Sequence, residues 1–436
     1  MRFDPVNLMW NGYKQHGEVF SFQLAGTPTV GMVGPRAHET FFRLPDDQIS
    51  LKEAYQLMVP IFGKGIAYDA TPEVMKEQLG FFHAALRDSR LKTYADGFVE
   101  EAEEYFGKWG DSGEVDMYEV GNELTIYTSA RSLLGTPFRR KLSGEFAKLY
   151  AELEAGLSVL AFFAPNLPTP AFKRRDAARA RMGKMIEKIV DERRREGSTG
   201  DDFLGTLMEA TYSDGRKLTE DEMTGLLLTI MFAGHHTSGV TFAWTGILLN
   251  QNRRFLPGLL EEQKRILGDR RNLTLDDLRA MSALERTVKE TLRLYPPLIL
   301  LMRKVMKDFK YDQYDVPAGT MIMASPAAAH RIPEVFANPD QFDPDRFGPG
   351  REEDKKNPMG WISFGAGRHR CMGIVFAQLQ IRAIWSVLLR DFDFDLVESK
   401  YEPDYNRLLV GPRQPCRVRY RRKKRVQVSV PAAVES

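Results

Sequence analysis

From Met223 to Leu249 the chain runs for 27 residues without an Asp, Glu, Lys or Arg. A helix of that composition must be shielded from water around nearly its whole circumference, so it either crosses a bilayer or threads the centre of a large core. Gly225, Gly234, His235, His236, Thr237, Ser238 and Gly239 lie within it, and no other stretch of the 436 residues resembles it. These polar and small residues favour the buried core helix. Just upstream, Thr219-Glu220-Asp221-Glu222 has the Thr-x-x-Glu form of a capping box, which starts a helix there. A helix of about 30 residues would span about 45 Å, the width of a whole domain.

The rest of the chain fits around such a rod. Residues 18–33, "EVFSFQLAGTPTVGMV", alternate apolar and polar about Gly-Thr-Pro and read as a β-hairpin. From about 72 to 295 the pattern is helical. One helix opens with Thr71 and Pro72 as N-cap and first residue, "VGNELTIYTSARSLLG" is a core helix ended by Gly135, and "ALERTVKETLRLYP" stops at Pro296-Pro297. Beyond 300, "FKYDQYDVPAGTMIMASP" and "IPEVFANPDQFDPDRF" read as short strands and proline turns, before a last helix, "VFAQLQIRAIWSVLLRDF". The expected class is mainly α with small β-sheets. No linker or repeat divides the chain, so residues 1–425 form one domain and 426–436 a strand end with a Pro/Ala-rich stub. Residues 155–172, apolar and broken by prolines, are a helix end and loop, either buried or placed to gate a pocket or touch a membrane surface.

A net charge of +2 gives no push toward nucleic acid. Two cysteines are too few for a disulfide framework, which points to a reducing, cytoplasmic setting. The first residues show neither a signal pattern nor an anchor.

Cys371 lies in "FGAGRHRCMG" with Phe364, Gly365, Gly367, Gly373 and three basic side chains. A structural thiol, a nucleophile, a zinc ligand and the thiolate ligand of a haem iron all compete for it. Glycines permit a tight loop and close approach of a flat ligand. Positive charge stabilises a thiolate, and a thiolate on haem iron favours O–O cleavage. Arg368, His369 and Arg370 suit the propionates of a porphyrin.

In "AGHHTS" the adjacent His235 and His236 project about 100° apart and do not chelate one metal as an i, i+4 pair does. Gly234 before Thr237 either opens the helix to a ligand or belongs to a satisfied polar patch. Glu290 and Arg293, at i, i+3 in an apolar setting, suggest a buried pair with Arg346 as third member.

Taken in this order the motifs resemble the cytochrome P-450 superfamily of haem-thiolate monooxygenases. Phe364-x-x-Gly367-x-x-x-Cys371-x-Gly373 resembles its haem-binding loop, Ala233-Gly234-x-x-Thr237-Ser238 its oxygen-binding kink, and Glu290-x-x-Arg293 with Arg346 its Glu-Arg-Arg triad. Most relatives carry an acid where this chain has His236 and an arginine where it has His369. Both histidines are similar to the sterol 14α-demethylase branch, as is Tyr55-x-Leu57-x-x-Pro60-x-Phe62-Gly63-x-x-Ile66-x-Tyr68-Asp69.

The resemblance implies haem b held by Cys371, with Tyr55, Lys76, Arg303 and His369 on its propionates and Phe364, Gly365 and Gly373 beside it. It implies Thr237 as proton donor, with His236 either in that relay or at the sterol 3-hydroxyl. Leu57, Met58, Phe62, Tyr68, Ala233 and Leu300 become substrate contacts, and Leu57 points to lanosterol-like 4,4-dimethyl sterols. Three successive oxidations by O2 would remove the 14α-methyl as formate and leave a 14,15 double bond. With no dinucleotide motif, electrons from NAD(P)H must arrive through a partner. A ferredoxin-type donor of the soluble bacterial kind, conceivably fused after the 431–433 stub, is expected, as are azole inhibitors that ligate the iron. Monooxygenases of other lipids, haem sensors and zinc hydrolases are the competing readings.

Overall fold

The computed structural model describes residues 4–141, 144–200 and 202–424. Arg425 and the 426–436 stub lie outside them. At the centre is the expected rod, a helix from Glu220 to Gln251 of 32 residues. Its capping box is complete: Thr219 Oγ1 accepts from the Glu222 N–H, and Glu222 accepts from the Thr219 N–H. No helix among the described residues is long and apolar enough to cross a membrane. The charge-free run is buried by protein instead.

Small residues let neighbours approach the rod closely. The helix Met117–Leu134, ended by Gly135, lies along it. A Cβ on Gly121 would stand 2.7 Å from the Gly239 carbonyl oxygen, and one on Gly225 would stand 2.1 Å from that of Phe62. On another side the helix Ile374–Asp391, which follows the Cys371 loop, packs Trp385 against Phe242 and Gly246. The helices Asp88–Gly107 and Ser282–Leu294 complete this larger core. A second core lies around the first half of the rod, under the helix Gly144–Ala155 and the basic helix Pro170–Glu196. Between those two helices, residues 155–172 form a short helix, Val159–Phe163, and a proline loop in which Leu160 and Leu167 are exposed.

The β-structure is peripheral, as expected. Val19–Leu24 and Thr27–Met32 form the hairpin, and Met321–Ala324, Leu301–Val305 and Ile49–Ser50 extend it to five strands. The turn falls on Ala25-Gly26, both at positive φ, rather than on Gly-Thr-Pro; Pro28 is already in the strand opposite Gln23. Phe309–Tyr311 pairs with Tyr314–Val316. In a three-stranded sheet Arg417–Arg422 lies in the middle, between Ser112–Asp116 and Phe392–Leu396. The segment 332–347, read from sequence as strands and turns, contains no strand; it is a loop with one 3-10 turn at Pro344–Phe347.

Candidate active site

Almost every residue of the central helix from Met223 onward is buried, with one interruption. Ala233 is exposed, and Thr229, Ile230, Gly234 and Thr237 are partly so. At 3.6 residues per turn these five share one face, so the rod presents a single open strip. The strip is bare of charge. The helix runs through it without a break; Thr237 Oγ1 donates to the Ala233 carbonyl at 2.6 Å, and Thr125 Oγ1 donates to that of His235 at 3.1 Å.

Cys371 is exposed, at the end of the turn that feeds the helix Ile374–Asp391. Its N–H donates to the Phe364 carbonyl at 2.9 Å, closing the loop. Gly365 and Gly367 both have φ +64, and a Cβ on Gly367 would stand 2.6 Å from the Phe42 carbonyl oxygen. Gly373 adopts an ordinary φ of −80 and leaves space beside the sulfur. The sulfur opens on one side and is enclosed on the others. Burial therefore raises the thiol pKa, while the Gly373 N–H and Arg370 pull it down.

Arg303 is the buried cation of this region. It is 7% exposed, and among the described residues it forms no ion pair, donating only to the Met302 carbonyl at 2.7 Å and covering the Phe41 ring. Burial lowers its pKa, opposed by Tyr55, Tyr68 and Asp46, and Tyr68 in turn feels Tyr55, Arg303 and Cys371. Tyr55 stacks on Tyr68 at 5.2 Å and accepts the Met302 N–H through its hydroxyl. Tyr55, Tyr68, Arg303 and Cys371 are thus gathered at one place.

His369 Nε2 bonds Asp46 Oδ1 at 2.7 Å, and Lys76 stands exposed on the helix Pro72–Ala85. Phe62 is buried between Tyr68 and Phe232. Leu57, 1% exposed, is core, with Met58 and Leu300 packed beside that cluster. His236 lies off the open strip and meets Glu154 of the helix Gly144–Ala155. Cys371 joins no other metal-ligating side chain among the described residues; the one such group is Glu154, His235 and His236. A zinc hydrolase built on Cys371 with the histidines is therefore not what the chain forms.

The buried triad forms as expected. Arg293 donates to both oxygens of Glu290 at 2.7 and 2.9 Å, and Arg346 Nε donates to Glu290 Oε1 at 3.0 Å, all three side chains being fully buried. Glu353, not foreseen, takes Arg346 Nη1 at 2.8 Å. Also unforeseen is His330. It ties the triad to the cysteine loop, because its Nε2 accepts the Ile362 N–H at 3.0 Å. Ser363 adds a bond to the Leu292 carbonyl.

A buried guanidinium without a carboxylate calls for an anion, and an accessible thiol and a charge-free helical strip both suit a flat apolar group. Iron porphyrin with its propionates answers both, and these residues fit it. That chemistry defines the class, a haem-thiolate protein. The family model for Cytochrome P450 matches residues 3–419, and the chain belongs to that family. It is 42% identical over 428 residues to sterol 14-demethylase of Arabidopsis thaliana, covering 96% of this chain and 87% of that protein. It is equally 42% identical to sterol 14alpha-demethylase of Mycobacterium bovis, covering 97% and 94%, and 35% identical to lanosterol 14-alpha demethylase of Bos taurus, covering 96% and 84%. A solved structure of retinoic acid bound cyanobacterial CYP120A1 has the same fold, with TM-score 0.83 at 24% identity, covering 95% of this chain and 93% of that one. The chain is thus a haem-containing monooxygenase that draws electrons from a redox partner.

Proposed function

We propose that this protein is a sterol 14α-demethylase, removing the 14α-methyl group of a lanosterol-like sterol as formate. The observation that carries this reading is the replacement of the usual acid and arginine of the family by His236 and His369, in a chain 42% identical to curated sterol 14-demethylases along nearly its whole length. Cys371 would hold haem, with Arg303 and Tyr55 toward its propionates, and haem would supply oxygen activation. The open strip of Ala233 and Thr237 gives the sterol an apolar wall, continued by Phe62, Tyr68 and Met58. Thr237 holds a proton at its hydroxyl, which donates to the Ala233 carbonyl. Glu154, whose pKa burial lifts to about 7, is the natural store behind His236. His236 lies beside the strip, not on it, which favours its part in proton supply over contact with the sterol hydroxyl. A ferredoxin-type donor and inhibition by azoles belong to the same reading.

The test is a reduced carbon-monoxide difference spectrum on wild type and Cys371→Ala, followed by turnover of lanosterol with a reconstituted donor. Loss of the thiolate-haem band in the variant and release of formate by wild type are expected. A band that survives the substitution would remove Cys371 from the iron. Turnover of fatty acids with none of lanosterol would return the chain to the general monooxygenases.

A further inference from the structure

His235 and His236 converge despite being neighbours on one helix. Their ring centroids are 4.2 Å apart, and the ligating atoms of both lie within 4.8 Å of each other and of a carboxylate oxygen of Glu154. We propose that Glu154, His235 and His236 form a binding site for a divalent cation of the zinc type.

Two unsatisfied atoms point into the space between these side chains. His235 Nδ1 and Glu154 Oε1 are buried without a properly directed hydrogen bond. They lie 3.7 Å apart, and His236 Nε2 abuts the same carboxylate oxygen. The orphaned lone pair of His235 Nδ1 costs stability that a cation would restore.

His235 is already fixed in the ligating tautomer. Its Nε2–H donates to the Asn122 carbonyl at 2.8 Å, which leaves Nδ1 bare and aimed at Glu154. A backbone carbonyl on the far nitrogen is what orients metal-bound histidines generally. Burial also keeps both rings neutral, lowering His235 to about 3 and His236 to about 4. Tyr150 packs against both imidazoles and holds their planes.

Two imidazole nitrogens and one carboxylate oxygen make a donor set suited to zinc, with a fourth position left for water. Around zinc such atoms sit roughly 3.3 Å apart, against the 4.8 Å within which the three already lie. Glu154 is 27% exposed at its side chain, giving the ion a way in from solvent. The charge opposing a cation is Arg407, which lowers the His236 pKa; its guanidinium is engaged by Tyr118, Gln414 and Asp404. The site stands on its own geometry.

The test uses chelator-treated holoenzyme titrated with zinc chloride by calorimetry, with metal counted after dialysis. One ion per chain is expected, with the reduced carbon-monoxide band left in place. Glu154→Gln and His235→Gln should each weaken binding by at least about tenfold, whereas His83→Ala, at an exposed helix position, should not. The Soret band and melting temperature report whether the variants fold. X-ray absorption at the zinc edge of the wild type reads the donor set without any variant: two imidazoles and a carboxylate are expected. A sulfur shell, a shell of water alone, or unchanged affinity in both folded variants would overturn the proposal.

Discussion

Arg293 and His330 bond each other twice. Arg293 Nη1 donates to the His330 carbonyl at 2.8 Å, and His330 Nδ1–H donates back to the Arg293 carbonyl at 3.1 Å. Since His330 Nε2 accepts from Ile362 N–H, the ring is fixed as one neutral tautomer and carries the triad's geometry to the start of the cysteine loop. Burial drives its pKa well below the usual value, in keeping with that role. In His330→Ala the Ile362 N–H and the Arg293 carbonyl lose their partner. A loss of about 1–3 kcal/mol is expected in urea unfolding, together with faster haem release. Haem release at the wild-type rate would separate the triad from the loop.

Arg303→Met should divide two properties that usually fall together. The buried guanidinium has no carboxylate, so its removal should leave the apoprotein at least as stable as wild type. Haem, deprived of a charge-assisted hydrogen bond, should dissociate roughly tenfold to a hundredfold faster. Transfer of haem to apomyoglobin gives the rate, and melting of the apoprotein gives the stability. A variant that destabilises the apoprotein would place Arg303 among the structural residues.

Gly367→Ala and Gly373→Ala should differ. At Gly367 the left-handed backbone and the Phe42 carbonyl both oppose a methyl group, a cost of about 1–3 kcal/mol. At Gly373 the φ is ordinary and the nearest atom to a Cβ is the Cys371 sulfur at 3.9 Å. That variant should fold normally and shift the Soret maximum. Equal destabilisation of the two would mean that the loop is governed by something other than its backbone angles.

Acid should unfold this protein through its histidines. His38, His235 and His236 are held neutral, with pKa lowered by burial to about 4, 3 and 4. Below the ordinary value of 6.5 the unfolded chain binds protons that the folded chain refuses, so stability is full above that pH and declines as pH falls toward 4. Glu154 acts in the opposite sense: its pKa is raised to about 7, so its ionisation burdens the fold as pH rises through that value. Three histidines outweigh one carboxyl, and the net slope between pH 6.5 and 4.5 should be positive. His38→Gln, far from the Glu154 cluster in sequence and bonded to the Met359 carbonyl, should flatten that slope by up to about 1.4 kcal/mol per pH unit. Denaturant melts at several pH values would show it; an unchanged slope would mean that His38 is protonated in the fold.

The central helix was legible because its signals are local: a charge-free run and a capping box within four residues. The glycine-rich turn at Cys371 and the Glu290–Arg293 pair, three residues apart on one helix, were legible for the same reason. What sequence could not show depends on distant partners. Segment 332–347 looked like strands, yet its carbonyls are satisfied by guanidinium groups, with Arg293 taking those of Pro339 and Gln341 and Arg346 those of Ala337 and Asn338. Glu154 is one acid on an amphipathic helix, with nothing nearby in sequence to mark its contact with His236. Asp46, which takes His369, is equally anonymous. The hairpin turn was misplaced because Ala25 occupies a positive-φ position that usually goes to Asn, Asp or Gly.

The middle strand of the three-stranded sheet has a consequence for how this chain is made. Arg417–Arg422 separates Ser112–Asp116 from Phe392–Leu396, and Cys416 N–H donates to the Asp116 carboxylate across 300 residues of sequence. During synthesis the early strand must leave the ribosome and wait, edges bare, until nearly all of the chain has followed it. Vectorial folding from the N-terminus cannot close this sheet before Arg417–Arg422 arrives; that strand is the latch.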